Sequence, residues 1–244
     1  MATIVKMGSL YQNSNLAVLG EFFQPEAEIR ISDTVPGHEI SWVVVNGLLI
    51  ADRCLLINIS WDDLNKQGLV LGKKISIDGV EYVCRLLKVG NEKGVPNEWD
   101  EALDVVGDES DDLWHWRKTA FWGQETPEMH PLNRVYRGFS VARLWHWVTS
   151  SRRLAPYGFR PVLELQNAGI TEVGTAVQIR VHQSIINGCV VEISAYDLVL
   201  LERKNSVIAE SDVGQCICRL PNGRIIIDRS KISSIHYLDN RKLQ

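Results

Sequence analysis

The chain has 244 residues, 45% of them hydrophobic and 23% charged. That composition excludes a disordered or fibrous protein and leaves room for one large or two small domains. Lys and Arg number 26 against 30 Asp and Glu, a formal net charge of −4, which argues against a generic nucleic-acid binder because such domains are strongly basic. The five cysteines, Cys54, Cys84, Cys189, Cys216 and Cys218, are an odd number set in apolar runs without a C-x-x-C pair, and they read as reduced thiols. No metal and no cofactor is expected.

The N-terminus lacks the basic region, apolar stretch and cleavage site of a secretory leader. The longest apolar region, Trp42 to Ile59, is interrupted by Asn46, Asp52 and Arg53, so a membrane span is not expected, and the sequence predicts a soluble cytoplasmic protein. Residues 1–39 are weakly patterned and read as an N-terminal extension. From Ile40 the apolar run carries a tight-turn signal at Asn46-Gly47. Ser60 with Asp63 three residues on predicts a capped helix start. Ile75 to Leu87 alternates across Asp78-Gly79, a second hairpin. Asn97 then caps a helix whose apolar residues Trp99, Ala102, Leu103 and Val106 recur at three- and four-residue steps.

Beyond Gln166-Asn167-Ala168-Gly169 the pattern changes to short alternating runs: Val177 to Val181, Cys189 to Ile193, Asp197 to Leu201, Cys216 to Leu220 and Arg224 to Asp228. Asn187-Gly188 and Asn222-Gly223 look like hairpin turns between them. These runs predict a small antiparallel β-barrel or β-sheet over 169–244, with an SH3-like barrel as the guess, after a main domain at 40–168. All eight tryptophans fall between Trp42 and Trp147, which also separates the two modules.

Charge is segregated along the chain. Eight acidic residues and no Lys or Arg lie from Glu98 to Asp112, whereas six arginines and no carboxylate lie from His130 to Pro161. The two blocks either pair with each other or leave a solvated acidic face. The acidic run lacks the Gly and the spaced oxygen ligands of a calcium loop.

The segment Arg134 to Leu165 resembles the closing stretch of the formylglycine-generating-enzyme or sulfatase-modifying-factor family, which reads approximately R-V-x-R-G-G-S-W, a variable loop with arginines, then G-F-R-x-V. Arg134-Val135, Arg137-Gly138, Ser140, Arg152-Arg153 and Gly158-Phe159-Arg160-Pro161-Val162 match in order, while Phe139 and Val141 replace the second Gly and the Trp. The segment is also similar to uncharacterised bacterial and phage proteins with S-A-R-x-W followed by G-F-R-P-V-L-E. The resemblance implies an α+β fold, a C-type-lectin-like core with the small C-terminal antiparallel β module appended. It does not carry the catalysis across. The oxidising members hold copper between two cysteines in this stretch, and no cysteine lies between Cys84 and Cys189 here; the H-x-x-x-H-x-E pattern of the iron-dependent relatives is missing as well.

Read as an extended segment, Arg143 to Arg153 places Arg143, Trp145, Trp147, Thr149, Ser151 and Arg153 on one face. Guanidinium groups fork onto phosphate or carboxylate, and indoles offer a stacking surface. Leu113-Trp114-His115-Trp116 recurs as Leu144-Trp145-His146-Trp147, which puts Trp114 and Trp116 with Trp145 and Trp147 in an expected tryptophan-lined pocket. Arg143, Ser151, Arg152, Arg153 and Tyr157 complete the candidate ligand-binding set, while Arg137 and Arg160, inside the family-like motifs, are expected to be structural. No G-x-S-x-G, H-E-x-x-H or Walker loop is present, so a non-enzyme is expected.

The leading expectation is therefore a non-catalytic recognition protein for an anionic, stackable ligand such as a nucleotide-type signal, by analogy a phage or mobile-element protein sequestering a host defence signal. The alternatives are a protein-binding module whose hot spot includes Trp145, Trp147, Arg152, Arg153 and Tyr157, acting on a host protein or self-associating, and an undetected metal-dependent enzyme.

Overall fold

The computed structural model describes residues 2–107, 109–165, 172–194 and 196–238. It divides into two compact units, Met1–Val45 with Leu49–Glu164, and Asn46–Leu48 with Leu165–Gln244. The expected switch at Gln166 to Gly169 lies outside the described residues.

The first unit contains two six-stranded sheets and a three-stranded one. One six-stranded sheet runs in the order Ile4–Met7, Ile40–Val45, Leu48–Ala51, Pro161–Leu165, Val80–Leu86, Lys73–Ile77; the other runs Trp145–Thr149, Asn133–Gly138, Ala120–Trp122, Tyr157–Phe159, Leu56–Ile57, Glu21–Phe22. The small sheet runs Asn15–Leu16, Ser9–Gln12, Ile29–Ser32. Strands at Ile4–Met7 and Glu21–Phe22 thus build residues read as an N-terminal extension into the main sheets. The turn residues behave as their chemistry requires: Asn46 and Gly47 take φ of 49° and 77°, Asp78 and Gly79 take 51° and 80°, the left-handed pair that matches hairpin twist.

Three α-helices are present among the described residues: α1 (Trp61–Lys66), α2 (Glu98–Val106) and α3 (Asp111–Trp114). Ser60 caps α1 in a reciprocal box with Asp63, and Asn97 caps α2 by accepting the Asp100 amide, both at the predicted positions. Each helix stops early. Gly107 ends α2 in the left-handed conformation, and His115 does the same for α3 at φ 45°. With 45% strand and 11% helix, the chain is a β-rich fold, which overturns the expected α+β, C-type-lectin-like core. The helix signals were in the right places, but they specify short turns between strands rather than a helical layer. None of the helices is long and apolar enough to cross a membrane.

The tryptophans form much of the first unit's core. Trp42, Trp99, Trp114 and Trp122 are fully buried, and Trp99 meets Trp114 and Phe121 edge-on at 5.0 and 4.8 Å, the arrangement favoured by ring quadrupoles. The indole N–H groups of Trp42, Trp99 and Trp122 donate to the carbonyls of Met7, Ala142 and Ile59 at 3.0, 2.8 and 2.8 Å, so their burial leaves no orphaned donor.

The second unit is a six-stranded antiparallel sheet in the order Ile217–Arg219, Arg224–Asp228, Asp197–Glu202, Ser184–Ile193, Ala176–Val181, Ile232–Tyr237. Its core is aliphatic, centred on Val177, Ile179, Ile186, Leu198, Leu200, Ile225 and Ile227. The Asn222-Gly223 turn is present, with Gly223 at φ 73°. Asn187-Gly188 is not a turn; it lies inside the strand Ser184–Ile193, and the chain reverses instead at His182 and Gln183. The glycine serves close approach: a Cβ on Gly188 would sit 2.8 Å from the Leu201 carbonyl oxygen and 2.9 Å from Leu200 Cβ.

Candidate functional site

The Arg- and Trp-rich segment is extended only over Trp145–Thr149; a turn follows at Ser150 and Ser151, and the Arg152 amide donates back to the Thr149 carbonyl at 3.0 Å. The single face expected from Arg143 to Arg153 is therefore divided between separate surroundings. This is a correction to the expected shared pocket.

Arg143 lies against the acidic block. Its Nε donates to Glu109 Oε1 at 2.5 Å and its Nη2 to Asp104 Oδ1 at 2.7 Å, with Asp100 3.6 Å away. These bonds, Glu109 first, push its pKa further up. Behind it the buried Arg137 donates to Asp100, and to the carbonyl of Val89 at 3.2 Å. The two opposite-charge blocks of the sequence are thus paired with each other. Trp145 is half-buried and donates from Nε1 to the Gly90 carbonyl at 3.0 Å; with Arg143, Arg137, Val95, Pro96 and Asp104 it lines a groove of about 440 Å³. Asp100, Glu101 and Asp104 line the same groove, so an anion entering it would meet carboxylates beside guanidiniums that are already bonded.

Arg153 is paired elsewhere. Its Nε and Nη2 donate to the two oxygens of Asp63 at 3.1 and 2.7 Å, and its guanidinium lies 5.8 Å from the Phe23 ring. Ser151 and Arg152 are exposed in the turn, and the Arg152 side chain has no partner among the described residues. Tyr157 is half-buried, stacked on Trp122 at 5.1 Å and edge-on to Tyr136 at 5.2 Å; burial and the Tyr157 hydroxyl push the Tyr136 phenol up to about 12.

The repeated Leu-Trp-His-Trp tetrapeptides do not share an aromatic layer. Trp114 is sealed in the core, and Trp116, 8% exposed, donates to the Glu109 carbonyl at 2.7 Å. Neither is available to a ligand. Arg160, fully buried, lies between Trp99 and Phe121 at 5.0 and 4.6 Å and donates to the Trp114 carbonyl. Burial lowers its pKa. Arg137 and Arg160 are thus both buried and bonded to backbone carbonyls within the first unit.

What remains accessible is the outer side of the strand Trp145–Thr149. It is the terminal strand of its sheet. Trp147 pairs in register with Val135, yet Val135 spends its amide on the Glu125 carbonyl and its own carbonyl on the Gly123 amide, both on the opposite side. The Trp147 backbone therefore faces the open edge. Its N–H and its carbonyl oxygen lie 2.8 and 3.0 Å from Nδ1 of the exposed His146 imidazole, which covers this stretch of the edge. The Trp147 ring is half-buried with the His130 ring 3.9 Å away, and Met129 and Leu132, on either side of His130 and Pro131 in sequence, are 82% and 80% exposed. Sequence reasoning missed Met129 and Leu132, because exposure of an apolar residue in a loop leaves no periodic signal.

Donor atoms also converge in the second unit, where His182, Asp212 and Cys216 come together. Burial, with help from the Asp212 and Asp228 carboxylates, pushes the Cys216 thiol up to about 11. The sequence spacing of these three gives no hint of it. No family model, curated protein or solved structure matches this chain.

Proposed function

We propose that the first unit is a non-catalytic recognition module that binds an extended protein segment along the edge strand Trp145–Thr149. The observation that supports this is the outward-facing Trp147 backbone on a terminal strand that carries two half-buried indoles, with exposed Met129 and Leu132 in the segment that brings His130 to the Trp147 ring. An open edge pairs with an added strand through main-chain hydrogen bonds, while side-chain pockets supply selectivity. Trp, Tyr and Met are enriched in such binding centres. The nucleotide-type reading is weaker, because Arg143 and Arg153 are neutralised by carboxylates. A cytoplasmic setting belongs to the same reading and rests on the odd cysteine count in apolar runs.

His146 serves here as a removable cover: its ring occupies the Trp147 amide, one of the alternate outward groups that a partner strand needs. Panning a random peptide display library on the folded protein tests the proposal. Selected peptides should bind more tightly to His146→Ala than to wild type, and Trp147→Ala should weaken them at least about tenfold, the scale of a hot-spot truncation, at an unchanged melting temperature. Peptides indifferent to both substitutions would contradict it, as would saturable nucleotide binding lost in Arg152→Ala.

A further inference from the structure

The reversal between strands Ala176–Val181 and Ser184–Ile193 puts His182 in the left-handed region at φ 47°, a conformation uncommon for a residue other than Gly or Asn. The turn carries its imidazole Nδ1 to 3.4 Å from Asp212 Oδ1 and 3.5 Å from Cys216 Sγ. All three donor atoms lie within 4.8 Å of one another. Asp212 and Cys216 are buried, whereas the His182 side chain is 28% exposed. The second carboxylate oxygen, Oδ2, accepts the Ser184 hydroxyl at 2.6 Å, and that hydroxyl oxygen accepts the Ala209 amide at 3.0 Å. The carboxylate is thus held in place from behind, as outer hydrogen bonds hold metal-ligating carboxylates.

A hydrogen-bonded relay does not account for this arrangement. Sulfur and carboxylate face the same ring nitrogen, which has one proton or one lone pair to offer, while a Cys-His-Asp relay needs them on opposite nitrogens. The 3.4 Å from Nδ1 to Asp212 exceeds the distance of a good hydrogen bond to a nitrogen, and the Cys216 thiol also has the Asp212 carbonyl oxygen at 3.6 Å. The two separations from Nδ1 match edges of a tetrahedron, since metal–sulfur of about 2.3 Å with metal–nitrogen and metal–oxygen of about 2.0–2.2 Å gives ligand separations of roughly 3.3–3.6 Å; the third, from Asp212 to Cys216, lies within 4.8 Å.

We propose that His182 Nδ1, Asp212 Oδ1 and Cys216 Sγ bind one divalent ion of the zinc class, with water as the fourth ligand on the exposed side of His182. One nitrogen, one oxygen and one sulfur donor select a borderline ion such as Zn2+ or Co2+ over the oxygen-seeking Mg2+ and Ca2+. The Cys216 thiol proton leaves to solvent as the metal–sulfur bond forms. Bound there, the ion ties the segment from Asp212 to Cys216 to the tip of the hairpin.

Titration of the reduced, metal-free full-length protein with Co2+, followed by displacement with Zn2+, tests the site. One equivalent of Co2+ should produce a thiolate-to-cobalt charge-transfer band and the intense visible bands of a tetrahedral centre. Cys216→Ser should abolish the charge-transfer band, Cys218→Ser should leave it intact, and Ser184→Ala should weaken binding by about tenfold. His182→Asn removes the imidazole while keeping a residue that tolerates the left-handed turn, so its loss of binding at retained fold separates ligation from folding. Failure of the folded wild type to take up one equivalent, or a charge-transfer band that survives Cys216→Ser, would overturn the proposal.

Discussion

Arg153 and Asp63 illustrate how a residue chosen for ligand chemistry is spent on structure. Asp63 is buried at the α1 cap, where it accepts the Ser60 amide and hydroxyl at 3.0 and 2.5 Å as well as the Arg153 guanidinium. Burial alone would raise its pKa, but the bonds from Arg153 and Ser60 outweigh burial and hold the carboxyl below its usual value. A depressed folded pKa contributes stability that is complete above the unfolded value of about 3.9 and is lost as pH falls through the folded value. Arg153→Ala should therefore lower stability by about 1 kcal/mol at neutral pH, with the gap to wild type closing in strong acid. Thermal melts across pH check this; an unchanged melt at neutral pH together with lost anion binding would restore Arg153 to a ligand role.

At the scale of elements, local chemistry was legible where a side chain acts on its own neighbours. Ser60 and Asn97 were readable as caps and Asn46-Gly47 and Asp78-Gly79 as turns, because each satisfies backbone groups within a few residues. Ser60→Ala should cost about 1 kcal/mol in chemical denaturation, the usual loss of a cap. Asn187-Gly188 has the same turn chemistry but a different cause, the close approach of the Leu200-Leu201 backbone, which no local pattern records. Gly188→Ala should destabilise the second unit by about 1–3 kcal/mol through overpacking, whereas a true turn glycine such as Gly79, with open space around its missing Cβ, should cost about 1 kcal/mol for strain alone. The candidate site was legible in part. Alternation put Trp145 and Trp147 on one face of a real strand, but the partners that remove Arg143 and Arg153 from that face, Asp104 and Glu109 for one and Asp63 for the other, come from 34 to 90 residues away in sequence. Both helices read from the sequence are present but contribute no helical layer, and the short α3 was not read: Gly107 and His115 end α2 and α3 within nine and four residues.

At the scale of the whole molecule, every tryptophan belongs to the first unit and the second unit has none. Indole fluorescence therefore reports one unit while far-ultraviolet circular dichroism reports both, and the two thermal transitions should not coincide. If the second unit holds a zinc-class ion, adding Zn2+ should raise the dichroism transition and leave the fluorescence transition in place. The central claim, that the open edge at Trp145–Thr149 is the recognition surface, is tested most directly by hydrogen–deuterium exchange with a display-selected peptide bound. Protection of the Trp147 amide and its neighbours in that strand, abolished by Trp147→Ala, is the predicted result. Unchanged exchange in the strand, or protection by a nucleoside triphosphate around Arg143 and Arg152 instead, would contradict it.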